Sequence, residues 1–299
     1  MLLKLRRRSS AVLLVAVVAM TLAGCSALGG RRTAPTTSYQ ERPVELLYLT
    51  GMAALDSGFF DESTLYVEEV ERQHPYSEWA RRAILMGAFA QYRAGRYPEA
   101  VANAERFLAL YPGNNAAPYA YYLRAISYFD QIVDVGRDQA TTQQAEAALR
   151  DLINRYPTTD YAADARLKMD MVHDQLAGKE LTIGRYYLRE GSTIAALGRF
   201  KAVVDRYQTT SHVPEALYRL VEANLILGLA EEAKRNAAVL GHNFPGDRWY
   251  ADAYALMVSE GVQPEQRPTR RRIQRIFRLG RPAPTAPETT PALPPPQVN

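Results

Sequence analysis

A single thiol stands in a chain of 299 residues, that of Cys25. It closes the run Leu22-Ala23-Gly24-Cys25, which ends an apolar stretch from Ala11 to Ala23. Lys4, Arg6, Arg7 and Arg8 precede that stretch. Its 13 residues fall short of the ~20 that a helix needs to cross a bilayer. A charged start, a short apolar middle and a small-residue finish are the pattern of an export signal. A thiol at that boundary is a nucleophile positioned to take up lipid. Once acylated it has nothing left for a disulfide, so the rest of the chain must hold by packing, even in an oxidising compartment.

The ending Leu22 to Cys25 resembles a bacterial lipobox, in which the cysteine becomes the acylated N-terminus. That resemblance implies more than one acyl chain on Cys25. Stable anchoring takes about two, so the mature protein would be tethered rather than spanning. Ser26 stands where an aspartate would favour the inner membrane, so the site is similar to the outer-membrane-sorted class. An ordinary signal peptide with a chance cysteine is the alternative.

Elsewhere the side chains do not assemble into an enzyme. His74, His173, His212 and His242 are scattered, none in HExxH, and no further cysteine accompanies them as a metal ligand. There is no GxSxG elbow, no phosphate-binding GxxxxGK[ST] loop and no GxGxxG. Asp170-Met171-Val172-His173-Asp174 and Glu68-Glu69-Val70-Glu71 read as solvated helix flanks. No catalytic residue, no metal site and no cofactor beyond a lipid on Cys25 is expected.

Binding remains. The chain carries 19 tyrosines. Tyr66, Tyr97, Tyr128 and Tyr187 occupy repeat positions and read as core. A second group, Tyr76, Trp79, Phe89 and Tyr92, stands early in the chain. Tyrosine and tryptophan give large contact area at low entropic cost. Tyr76, Trp79 and Tyr92 are therefore candidates to line a peptide groove.

Charge says little in total and more by segment. Formal charge is +4, with 36 basic and 32 acidic residues. The signal region removes four of the basic ones and leaves balance, so the basic isoelectric point is no argument for nucleic acid, and an exported chain does not meet it. The tail from Gly261 to Asn299 holds seven arginines against Glu265 and Glu288, which leaves the body acidic. Within the tail, Ile273, Ile276, Phe277 and Leu279 fall at helical spacing among arginines. They make either a short basic amphipathic helix or a solvated leash. Pro282 to Asn299 is rich in proline, threonine and alanine and reads as disordered.

The elements that must position these residues are helical. Gly29 to Pro43 has no period and reads as a flexible tether. From 44 to 260 apolar residues recur at three and four, and strand-like alternation is missing. Landmarks repeat at Pro75, Pro112, Pro157, Gln208 and Pro245. Gly58, Gly95, Gly191 and Gly228 each stand 17 residues before one of them, and Ser63, Ala100, Ala196 and Ala233 stand 12 before. This resembles the tetratricopeptide repeat, a helix–turn–helix unit. The fold expected is all-α, a right-handed tetratricopeptide solenoid with a concave face. Five units begin near Val44, Ser77, Asn115, Asp160 and Ser211, and a closing helix runs from Arg248 to Ser259. The third unit carries an insertion at Gln131 to Thr142. The fourth has a separate extra helix, Asp160 to Leu176, ahead of its own pair. Ser77, Asn114, Asp160, Ser211 and Asp247 are expected N-caps.

With lipobox, tether and repeats together, the chain resembles the BamD (ComL-type) lipoproteins of the outer-membrane β-barrel assembly machine. The specific segments are Tyr92-Arg93-Ala94-Gly95-Arg96-Tyr97, Arg106-Phe107 with Pro112, and Gly184-Arg185-Tyr186-Tyr187-Leu188-Arg189-Glu190-Gly191. The resemblance implies a non-enzymatic scaffold at the periplasmic face of the outer membrane. It would bind the POTRA domains of BamA, alongside other subunits of the machine, and receive unfolded outer-membrane protein precursors. Arg199, in Ala196-Leu197-Gly198-Arg199, falls where the family contacts BamA. The substrate groove would lie in the first two units, where Tyr76, Trp79 and Tyr92 stand. His74 departs from the tyrosine common before that proline. A pilotin-like lipoprotein assisting a secretin or pilus is the rival reading.

Overall fold

The computed structural model describes residues 42–133 and 139–263. Cys25, the tether and the arginine-rich tail lie outside the described residues. Among those described, secondary structure is helical throughout, with no strand. The helices are α1 (Val44–Asp56), α2 (Phe60–Gln73), α3 (Glu78–Arg93), α4 (Tyr97–Leu110), α5 (Ala117–Phe129) and α6 (Ala140–Arg155), then α7 (Asp160–Arg189), α8 (Thr193–Arg206), α9 (Val213–Ile226), α10 (Ala230–Asn243) and α11 (Arg248–Ser259).

Each helix packs on the next in sequence. The leading helices of successive pairs, α1, α3, α5 and α7, also touch one another in order, as α9 touches α11. No pair buries its apolar stripe alone, and stacking completes it. This is the tetratricopeptide architecture. The turns within four pairs close on Gly58, Gly95, Gly191 and Gly228, at φ of 81°, 74°, 74° and 74°, the left-handed region that a Cβ disfavours. At the other end, five second helices stop on His74, Tyr111, Tyr156, Tyr207 and Phe244, at φ between −125° and −135° and ψ near 50°. Four of these precede proline, which bars the α region. Tyr207 precedes Gln208 and takes the same conformation, so a following proline is not required for it. His74 adopts the geometry of the tyrosines.

Caps divide. Ser77 Oγ accepts from the Ala80 amide at 3.0 Å and Asp247 Oδ1 from the Trp249 amide at 3.1 Å. At α7 the cap is Thr159, whose hydroxyl accepts from the Ala162 amide, and Asp160 is the first helical residue. Asn114 accepts from the Ala116 amide in the preceding turn, while α5 begins only at Ala117. Ser211 caps nothing. Its amide and hydroxyl turn to Asp174 instead.

The main correction concerns the fourth unit. Asp160 to Leu176 is not a separate helix; it runs unbroken into the next as the 30-residue α7, about 45 Å long. The segment Ala177-Gly178-Lys179 contains no proline and no cap, and mid-helix glycine costs only about 1 kcal/mol. Ala177, Gly178 and Leu181 are buried there, and that burial outweighs the cost. The third unit's insertion falls in the α5–α6 connection, of which residues 134–138 lie outside the description.

Two cores share this helix. The first gathers α1 to α6 with α7 as far as Leu176, and the second begins at Ala177 and continues through α8 to Met257 of α11. Tyr207 packs against both. The fully buried tyrosines are Tyr119 and Tyr122, which the sequence pattern did not single out. Tyr66, Tyr97, Tyr128 and Tyr187 are half-buried at the core margins.

Candidate partner-binding surfaces

Arg199 lines a surface cleft of about 390 Å³. Its walls are the C-terminal half of α7, through Glu180 and Tyr187, and the outer stripe of α8, with Ile194, Ala195, Gly198, Arg199, Ala202 and Arg206. The α8 residues fall on one face by helical spacing. Ala195 and Gly198 are exposed and small, so nothing fills the space above them. Ile194 is 76% exposed. Arg199 Nη1 donates to both oxygens of Glu180, at 3.1 and 3.3 Å. The guanidinium is half-exposed and keeps other donors of its fork available. The cleft therefore offers a cation, a second arginine, an isolated aliphatic side chain and a tyrosine edge. That combination suits a polypeptide carrying a carboxylate beside an apolar residue.

The first array presents its aromatics differently. Tyr76, in the α2–α3 connection, is fully exposed. Trp79, the second residue of α3, meets the ring of Tyr48 of α1 at 5.0 Å, tilted, with the Arg82 guanidinium 5.3 Å from its ring centre. Tyr92 stands at the far end of α3. It stands 13 steps along the helix from Trp79, about 20 Å away and on a different face. Its hydroxyl donates to Asp130, at the end of α5, and its ring meets Tyr97 at 5.9 Å. Burial, then that hydrogen bond, raises its hydroxyl pKa well above the ordinary tyrosine value. Tyr76 and Trp79 share one end of the unit, while Tyr92 belongs to a polar cluster at the other.

That cluster was not legible in advance. Tyr122 donates to Asp164 at 2.8 Å, and Lys168 Nζ lies 3.0 Å from the same carboxylate. Lys168 is buried, with the Phe129 ring beside its ammonium. The two supposedly solvated flanks are also built in. Glu69 is buried and holds Arg72 and Gln73, while Glu71 is ion-paired with Arg106 of α4. His173 and Asp174 both reach neighbouring elements. Among the described residues no three His, Cys, Asp or Glu side chains converge as a metal site. No described helix is long and apolar enough to cross a membrane.

The outer membrane lipoprotein family YfiO matches residues 40–240. The outer membrane protein assembly factor BamD of Caulobacter vibrioides is 58% identical over 285 residues, 94% of this chain and 92% of that protein. That of Rickettsia prowazekii is 40% identical, covering 85% and 98%. That of Neisseria meningitidis serogroup A is 31% identical, covering 81% and 94%.

Proposed function

We infer the role of this chain from its kinship: it belongs to the BamD family of outer membrane protein assembly factors. In this reading it is a non-enzymatic scaffold of the β-barrel assembly machine at the outer membrane. Lipid on Cys25 tethers it to the periplasmic face, which raises its effective concentration near the barrel-forming subunit. The second array holds the POTRA region of BamA through the Arg199 cleft. The first array receives extended segments of unfolded barrel precursors, with Tyr76 and Trp79 at one end of α3 and Tyr92 at the other.

The observation that carries this reading is the cleft itself. A half-exposed arginine paired with Glu180 borders an exposed isoleucine and the small residues of α8. It stands where the family resemblance puts the BamA contact. Reversing the charge tests it. Exposed ion pairs contribute about 0–1 kcal/mol, so Arg199→Glu leaves the fold intact. It is expected to reduce BamA co-purification from solubilised envelopes about tenfold, the size of one lost charge-assisted contact. Undiminished recovery of BamA, or recovery of a secretin in its place, overturns the assignment.

A further inference from the structure

First and second helices alternate along the chain, and a first helix lying between two second helices packs on both. So α3 packs on α2 and α4, α5 on α4 and α6, and α9 on α8 and α10. The 30-residue α7 breaks the alternation. It serves as first helix twice, its half up to Leu176 in the first core and its half from Ala177 in the second. Of the second helices, α6 packs on it from before and α8 from after. None intervenes, so one helix position is vacant. The Arg199 cleft lies at that vacancy. Counted from the turn glycines Gly95 and Gly191, Ile84, Gln91, Asn103 and Arg106 correspond to Glu180, Tyr187, Arg199 and Ala202. The first set lines a crevice of about 50 Å³, closed along one side by Val67, Glu68 and Glu71 of α2. The second set lines the cleft of about 390 Å³, where no described residue stands in the place of α2. Ile84 and Gln91 are buried, as are Leu217 and Asn224 at the same places in α9, which α8 precedes. Glu180 and Tyr187 are partly exposed.

We propose that the Arg199 cleft is a vacant helix position, which a partner fills with an amphipathic α-helix presenting a carboxylate to Arg199 or Arg206 beside an apolar side chain. This rests on the reading that a partner occupies the cleft, and adds the form that partner takes there. The covered crevice shows what such a position accepts. Val67, Glu68 and Glu71 share one face of α2 by helical spacing, and Glu71 is ion-paired with Arg106 of α4. In the vacant place the cations are Arg199, half-exposed, and Arg206, exposed. Ala195, Gly198 and Ala202 follow one another by three and four residues along α8, and small side chains at a contact let two helix axes come close. The cleft walls are helices whose backbone groups are already bonded to one another. An occupant therefore has to satisfy its own backbone, which a helix does and a strand or loop does not. The arginine-rich tail of this chain carries the wrong charge for the site.

A photoreactive residue at Ala195, Gly198 or Ala202 in turn, in the full chain in intact envelopes, reads the form of the occupant once mass spectrometry maps the adduct sites. Those sites are expected to advance by three or four residues from one position to the next, within a single partner segment that carries an aspartate or glutamate within a turn of them. Gly198→Trp fills the vacancy from an exposed position and is expected to lower the adduct yield from Ala195 and Ala202 about tenfold. Sites advancing by two, as on a strand, or scattered over several segments overturn the proposal while leaving the cleft a partner site. So do adducts within this chain's own tail, or a yield untouched by Gly198→Trp. A helical pattern on a protein other than BamA upholds the vacant position and overturns the BamA assignment. No adduct from any of the three positions overturns both.

Discussion

The two arrays use the same repeat yet fill it differently. The first threads polar groups through its interior. Tyr119, Tyr122 and Tyr161 lie with ring centres 5.2–6.4 Å apart, and Asp164 gathers Tyr122 and Lys168. The second is close-packed. At Gly184 an added Cβ would collide with the ring of Phe200, and at Gly241 it would stand 2.6 Å from that of Tyr250. Large rings seated on bare backbone let the helices approach closely. Aromatic hydroxyls tied to carboxylates specify instead which side chain meets which. The close-packed array leaves its outer helix, α8, faced with alanine and glycine, and an open cleft lies there.

The largest effect is expected from Phe200→Ala, a buried ring whose loss costs about 3–5 kcal/mol. The chain has two tryptophans, Trp79 in the first array and Trp249 in the second. In urea unfolding followed in single-tryptophan variants, the Trp249 transition is expected to fall by the full amount and that of Trp79 by less than half. Equal shifts would make the arrays one cooperative unit and dissolve the contrast between them.

Next comes Gly184→Ala, at about 1–3 kcal/mol for forcing a methyl into a filled core. The glycine to compare in the first array is Gly87, where a Cβ would meet Val67 at 3.2 Å, a contact that a small shift relieves. If Gly87→Ala proves as costly as Gly184→Ala in the same titration, the second array is not the tighter one.

Tyr122→Phe removes the bond to Asp164 and should destabilise the first array by about 1 kcal/mol. The loss should appear in the Trp79 signal and not in that of Trp249. A neutral result would mean that water replaces the hydroxyl.

Gly198→Ala is expected to have the smallest effect and to stabilise. Its Cβ meets nothing within 4 Å on the surface of α8, and exchanging a helical glycine for alanine contributes about 0.5–1 kcal/mol. A loss of stability there would show that the cleft floor is not empty.

Much of this was legible before the structure, and what was missed shares a cause. Turn glycines, the prolines after the second helices and the closing helix Arg248–Ser259 are written locally, because each residue answers to its own backbone conformation. The long α7 was misread because a boundary was drawn at Leu176, where periodicity merely changes the array it serves. Burial by two different neighbours held the helix through Gly178. His173, Asp174 and Glu71 read as solvated flanks in the sequence because their partners lie on other elements, at separations no local pattern reveals. Tyr119 and Tyr122 escaped notice for the same reason. Arg199 could be placed on a helix surface from the sequence. Glu180 beside it, and the small-residue floor, came only with packing.

Photocrosslinking in intact envelopes tests the division of labour most directly. A photoreactive residue replaces Ala195 in the α8 cleft or Tyr76 ahead of α3, both exposed. The account predicts that the α8 position traps BamA and the α3 position traps unfolded barrel precursors, each with little of the other. Identical adducts from both positions, or BamA trapped from Tyr76 and not from Ala195, would contradict it.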